Sequence, residues 1–308
     1  MDSLKRIYGL VIKYYCQIVY AATGLAAIWV AGFGSMSDMN QRAGLVTLLC
    51  PTVFLTKPLT VGKEKRVYWW TSLIDIVLTV ATVCGGAYML VVWPSRMLKS
   101  SAFSPVDIMM GWVMLFCILE ATRRATGLVV SLTALACLLY THYGYLFDGI
   151  LGHRGESWKR IIGPIYVSTE GLFGSSVGVA ASYIIPFVVF GSFLEAFGTG
   201  QWFVDFSFSL TGRYRGGPAK TAIVSSGLMG MISGASAANV VTTGSFTIPL
   251  MKKMGYDPHE AGAIEAVAST GGMIMPPIMG SAAFLMADFL GIRYSEIARA
   301  AIIPAILY

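Results

Sequence analysis

Hydrophobic positions along this 308-residue chain gather into long runs separated by short polar stretches. Each run approaches the ~20 residues that an α-helix needs to span a bilayer core. The runs predict membrane helices at about 16–34, 43–56, 73–93, 107–121, 126–147 and 180–199, the second and fourth being short. The polar connection 148–178 contains "WKRIIGPIYV", the pattern of an amphipathic helix lying on the outer membrane face. "YWWT" at 68–71 places Tyr68, Trp69 and Trp70 at a membrane–water interface.

From residue 171 onward the apolar runs change character. Gly, Ala, Ser and Thr crowd positions that Leu, Val and Trp hold earlier. Small residues let helices approach closely, which accounts for scattered glycines but not for glycines clustered beside prolines. Two segments carry such breaks. The first, 221–251, has the basic "GRYRGGPAK" before it and Lys252–Lys253 after it. One crossing would put those flanks on opposite sides, so a hairpin that enters and returns is predicted, with "SGASAAN" (233–239) as its tip. Gly234 would end the first arm with a positive φ, and Ser236 would cap the second.

The second break follows "DPHE" at 257–260, a helix start with Asp257 at the N-cap, Pro258 at N1 and Glu260 at N3. The predicted helix runs to Gly271–Gly272, and Pro276 or Pro277 opens another half-helix, because proline suits a first turn. Irregular backbone at membrane depth survives only where protein buries it or it lines a cavity. There, free carbonyls at a half-helix end can hold a cation and free N–H groups an anion, as in transporter sites near the midplane. The alternative is a proline-kinked packing helix.

Composition strengthens the membrane assignment. The chain is 56% hydrophobic and 12% charged, where a soluble domain carries about 25% charged residues. The net charge is +6. With a cytoplasmic N-terminus, Lys5, Arg6, Lys13, Lys57, Lys63, Lys65, Arg66, Arg123, Arg124, Arg213, Arg215, Lys220, Lys252 and Lys253 all fall inside, 14 of the 22 Lys and Arg. Split among short loops, these residues suit anionic lipid headgroups and not nucleic acid. Glu120 stands one turn before Arg123 and Arg124, which predicts an interfacial ion pair of small value.

Candidate chemistry is sparse. Cys16, Cys50, Cys84, Cys117 and Cys137 lie in or beside apolar runs without CxxC spacing and read as packing residues. No cleavage site clearly follows the first apolar run, so it is taken as an uncleaved helix. His142, His153 and His259 are scattered, and "GRYRGGPAKT" lacks the Gly-Lys-Ser/Thr of a phosphate loop. No catalytic site or cofactor is expected; energy would come from an ion gradient or a partner. Glu265 and Asp288 are the acidic residues in the last apolar run, and Glu265 is the better functional candidate.

The stretches "RGGPAKTAIVSSGLMGMISGASAANVVTTGSFTIPLMKKMGY" and "AGAIEAVASTGGMIMPPIMGSAAFLMADFLG" closely resemble the fused permeases of tripartite ATP-independent periplasmic (TRAP) transporters. "EATRRATG" and "YVSTEGLFGSSVGVAASYIIPFVVFGSFLEAFGTG" resemble the branch whose binding proteins are called TAXI. The resemblance implies an all-α polytopic protein: conventional transmembrane helices, then a re-entrant hairpin and a discontinuous helix, half of an elevator-type ion transporter. It implies a small-subunit-like scaffold at 1–147, a periplasmic connection at 148–178, and the first repeat of a large-subunit-like transport domain at 179–308. The function implied is sodium-coupled import of an organic anion, usually a carboxylate, delivered by a periplasmic binding protein to the bacterial inner membrane.

Sodium would be held by Ser233, Ser236 and Asn239 at the tip, and by Thr270, Gly271, Gly272, Met275 and Pro276 in the break, largely through backbone carbonyls. Only one of two expected repeats is present, and the chain stops at "AIIPAILY" inside an apolar run, so a truncated permease is expected. A binding-protein-independent sodium or proton symporter and a non-transporting membrane scaffold are the alternatives.

Overall fold

The computed structural model describes residues 2–34, 36–59, 69–97 and 103–308. Lys63, Lys65, Arg66 and Tyr68, used above for orientation and for the interface, lie outside these residues. The described residues are helical, with no strand among them, and divide into two compact units, Met1–Ala181 and Ser182–Tyr308. Among the described residues, five helices are long and apolar enough to cross a membrane: Ile12–Phe33, Trp70–Arg96, Pro105–Thr126, Leu128–Leu146 and Ser175–Ala196. They overlie five of the six runs read from sequence. The exception is 43–56. It lies in a helix whose first turns carry Asp38, Asn40, Gln41 and Arg42, so only its second half is apolar.

The first unit holds α1 (Asp2–Phe33), α2 (Asp38–Thr56), α3 (Trp69–Met97), α4 (Pro105–Thr126), α5 (Leu128–Tyr143), α6 (Trp158–Val167) and the short α7 (Ser175–Val179). One core cluster joins Met39, Ala43, Met89, Met114, Tyr166 and Phe173. The amphipathic pattern at 158–167 does form a helix. Its apolar side, Ile161, Ile162 and Tyr166, is buried and packs on α4, where Gly111 permits the approach. The Tyr166 hydroxyl donates to the Gly85 carbonyl at 2.6 Å, joining α6 to α3.

Ion pairs pin both ends of α4. At its start, Asp107 accepts from the Ser104 N–H at 2.8 Å and from the Tyr88 hydroxyl at 2.7 Å, and pairs with Arg96. At its end, Arg124 reaches across to Asp75 of α3 at 2.6 Å while its Nε meets Glu120 at 2.7 Å. The Arg124 and Asp75 side chains are only 4% and 3% exposed. The expected interfacial pair is thus part of a buried cross-helix network.

The second unit holds α8 (Ile185–Ala196), α9 (Thr199–Thr211), α10 (Gly217–Ser233), α11 (Ser236–Thr242), α12 (Gly244–Lys253), α13 (Pro258–Gly272), α14 (Ser281–Leu290) and α15 (Tyr294–Leu307). The arms of the predicted hairpin run antiparallel. Ala222 shares a core cluster with Met251 and Ala261, and Ser226 Oγ lies 3.0 Å from Thr243 Oγ1. Gly234 ends α10 with φ 62°, as its position predicted. Ser236 does not cap α11. Ala235 holds the N-cap position with φ −133° and Ser236 is already the first helical residue, where its hydroxyl can no longer reach the N2 or N3 amide as a cap does.

Candidate functional site

Two breaks, one in the hairpin and one after α13, come together in the second unit. Asp257 caps α13 by accepting from the His259 N–H at 2.9 Å, with Pro258 in the first turn. The helix ends at Gly272, and a loop of turns follows through 273–280. Three successive i→i+3 bonds, from the amides of Met273, Ile274 and Met275, close the end of α13. A bond from the Gly280 N–H to the Met273 carbonyl at 2.7 Å closes the loop. Pro276 and Pro277 do not open the next helix, contrary to the sequence expectation. They lie within this loop, joined by a cis peptide bond, and Met279 follows at φ 60°. That left-handed residue is not helical, so α14 restarts only at Ser281, after Gly280.

The crossing of α10 and α13 depends on glycine. A Cβ on Gly230 would strike the Gly272 Cα, and one on Gly272 would stand 2.7 Å from the Ser226 carbonyl oxygen. At the tip, a Cβ on Gly234 would lie 2.9 Å from the Met279 carbonyl oxygen. Between tip and break is a cavity of about 150 Å³ bordered by Ser233, Gly234, Ala235, Met279 and Ser281, with the rest of its wall apolar, from Ile184, Phe187, Val188, Ile232, Ile278 and Phe284. A water needs roughly 10–15 Å³ of such space, so this one has room for an ion with part of its shell. The Ser233 hydroxyl is buried and has no hydrogen-bond partner among the described residues. Gly271, Gly272 and Met275 border a second, mainly apolar cavity of about 370 Å³ against Ala305 and Tyr308.

The eight sequence-nominated residues therefore divide. Ser233 faces the small cavity, and fully buried Asn239 touches the crossing, donating from Nδ2 to the Ser226 carbonyl at 2.8 Å. Gly272 is beside it. Ser236, Met275 and Pro276 are half-buried. Thr270 is exposed and its hydroxyl bonds back to the Ala266 carbonyl at 2.8 Å, so its side chain is turned away.

Glu265 is the centre that sequence reading only half identified. It is fully buried, whereas Asp288 is exposed. Its Oε1 accepts from Ser226 at 2.5 Å, from Thr243 at 2.6 Å and from Ser269 at 3.2 Å. Its Oε2 accepts from Thr247 at 2.5 Å. Hydroxyls from both hairpin arms and from α13 thus converge on one carboxylate, and Gly244 clears the space, an added Cβ there standing 3.0 Å from Glu265 Cγ. Tyr294 was missed altogether. At the start of α15 its hydroxyl donates to the Pro277 carbonyl at 3.0 Å and contacts that of Ile278, while its ring stacks on Phe284 at 4.4 Å. Nothing local in the sequence marks a bond made from 17 residues away.

Apolar helices that can cross a membrane, followed by paired backbone breaks around a small cavity, define a polytopic membrane protein with the architecture of a permease. Residues 113–308 match the family model described as the tripartite ATP-independent periplasmic transporter, DctM component, and the chain belongs to this family of TRAP transporter permeases. The chain is 24% identical over 195 residues to the uncharacterized protein y4mL of Sinorhizobium fredii, covering 63% of this chain and 42% of that protein. It is 32% identical over 109 residues to the C4-dicarboxylate TRAP transporter large permease protein DctM of Vibrio cholerae, covering 35% and 24%. It is also 34% identical over 94 residues to the isethionate TRAP transporter permease protein DctMQ of Oleidesulfovibrio alaskensis, covering 30% and 15%. The chain thus spans less than half the length of these relatives. No solved structure matches it.

Proposed function

We propose that the chain acts as the permease component of a sodium-coupled importer of an organic anion, fed by a periplasmic binding protein of the TAXI type. The observation that carries this reading is the meeting of two backbone breaks around a cavity containing an unpartnered buried hydroxyl, Ser233. Carbonyl and hydroxyl oxygens at a backbone break suit a hard monovalent cation. The cation would be held by backbone and side-chain oxygens of Ser233, Ser236, Asn239, Thr270, Gly271, Gly272, Met275 and Pro276, with Thr270 serving through its carbonyl. The anion class follows the relatives named for C4-dicarboxylates and isethionate. Residues 221–251 would be re-entrant and would move with α13 and α14 as an elevator-type transport element. The scaffold role for 1–147 and the N-terminus-in topology of the inner-membrane protein rest on the resemblance and on the distribution of basic residues.

Uptake of a radiolabelled C4-dicarboxylate into proteoliposomes tests this reading. Uptake should require both an inward sodium gradient and a TAXI-type binding protein from the same genome, and Asn239→Ala should raise the sodium concentration needed. Uptake without the binding protein would favour the independent symporter, and no uptake under either condition would favour a scaffold.

A further inference from the structure

We propose that residues 144–156 form an interfacial anchor whose apolar side chains enter the lipid leaflet at the end of α5. The inference does not depend on what the chain transports. Leu146, Ile150 and Leu151 are 67%, 103% and 62% exposed, with Tyr145 and Phe147 beside them at 59% and 47%. Large apolar side chains gathered at a surface in this way mark a contact with protein or membrane. The helix expected to meet the membrane face, α6, does not supply this surface, because Ile161, Ile162 and Tyr166 are turned inward. The loop before it does.

Hydrogen bonds hold that loop back against the last turn of α5. The His153 N–H donates to the Gly144 carbonyl at 3.1 Å, and the Glu156 N–H to the Thr141 carbonyl at 3.1 Å. The Tyr140 hydroxyl donates to the Leu151 carbonyl at 2.7 Å, and His142 Nδ1 to the Glu156 carbonyl at 2.7 Å. The Tyr140 ring meets Phe147 and His153 edge-on, at 5.4 and 4.8 Å. Glycine permits the closure. Gly155 has φ 69°, and a Cβ there would stand 2.5 Å from the His142 carbonyl oxygen, while one on Gly144 would strike the His153 ring. Because Leu128–Leu146 is apolar and long enough to span, a loop tied to residues 140–144 lies at the depth where that span ends.

Three features identify the occupant as lipid. The apolar surface continues that of the span, where Leu135, Leu139 and Tyr143 are also exposed. Aromatic rings stand at the same level: Trp158 stacks on His142 at 4.3 Å and packs against Trp112 at 5.0 Å, and such rings settle among headgroups. Arg154, Lys159 and Arg160 are exposed next to the loop, and long cationic side chains reach lipid phosphates while their stems stay apolar. Of the acids, Glu156 pairs with Arg160 at 3.3 Å and Asp148 is exposed. An apolar tip with a mixed polar rim is the composition of a segment lying in the interface.

Nitroxide labelling of the full chain in lipid bilayers, without its five natural cysteines, tests this placement. Collisions with oxygen and with a water-soluble nickel chelate report depth. A label on Ile150→Cys should sit about 5–10 Å into the boundary between headgroups and acyl chains, reached by oxygen far better than by the chelate. One on Arg154→Cys should lie nearer to water and favour the chelate. If the chelate reaches 150 as readily as 154, the loop is in water and the proposal is overturned. If neither reagent reaches 150, protein covers it, and the proposal falls in favour of a protein partner. Should the cysteine-free chain not fold, the same labels in the natural background, read against the labelled unsubstituted chain, give the same comparison.

Discussion

Two buried acidic centres in this protein are built on opposite principles. In the first unit Asp75 meets the Arg124 guanidinium, which also holds Glu120, itself paired with Arg123. Charges cancel within the network, and its members come from α3 and α4. In the second unit Glu265, equally buried, meets four hydroxyls and no guanidinium. A charge-paired acid fixes helices where they cross, and removing one member leaves the other stranded. A hydroxyl-solvated acid ties together the segments that supply its donors, here both arms of the hairpin and α13.

Breaking the first centre should cost most. Arg124→Ala strands Asp75 and should destabilise the protein by about 3–5 kcal/mol in thermal unfolding, while Arg124→Leu combined with Asp75→Leu regains most of it. A loss under about 1 kcal/mol would make the network an ordinary surface pair. In the second centre, Thr247→Val removes one hydroxyl from the carboxylate and should cost about 1.5–3 kcal/mol. Thr247→Ser should cost far less, and equal losses would assign the effect to packing.

The glycine crossing gives a test of sign. Alanine normally improves a helix interior by up to about 1 kcal/mol, and Gly262→Ala, with nothing within 4 Å of the added carbon, should do so. Gly272→Ala should instead destabilise by roughly 1–3 kcal/mol, because its Cβ has no room beside the Ser226 carbonyl. Calorimetry of the two variants side by side reads the difference. The smallest effect belongs to Tyr294→Phe, which keeps the stack on Phe284 but withdraws the donor from the 277–278 carbonyls. It should cost about 1 kcal/mol, with faster amide exchange confined to the loop after α13.

What was legible in the sequence was local. Run lengths located the five apolar helices, Gly234 and Gly271–Gly272 marked where helices end, and Asp257 marked where one begins. The restart after the break was misplaced at the prolines, because a left-handed Met279 carries no composition signal and delays the helix to Ser281. Long-range partners were the other blind spot. Glu120 beside Arg124 reads as a local pair, and Asp75, 49 residues away, is invisible in that pattern. Glu265 was visible as an intramembrane acid, but its donors at 226, 243 and 247 belong to other parts of the chain, the two arms of the hairpin.

The proposed cation site requires the hairpin to enter and return on one face of the membrane. In a variant lacking the five natural cysteines, Lys220→Cys and Lys252→Cys place single thiols at exposed positions at the two ends of the hairpin. A membrane-impermeant maleimide applied to intact spheroplasts and to inverted vesicles reads their sidedness. Both positions should label from the cytoplasmic face only. Labelling of 220 and 252 from opposite faces would make 221–251 a single crossing and contradict a re-entrant site.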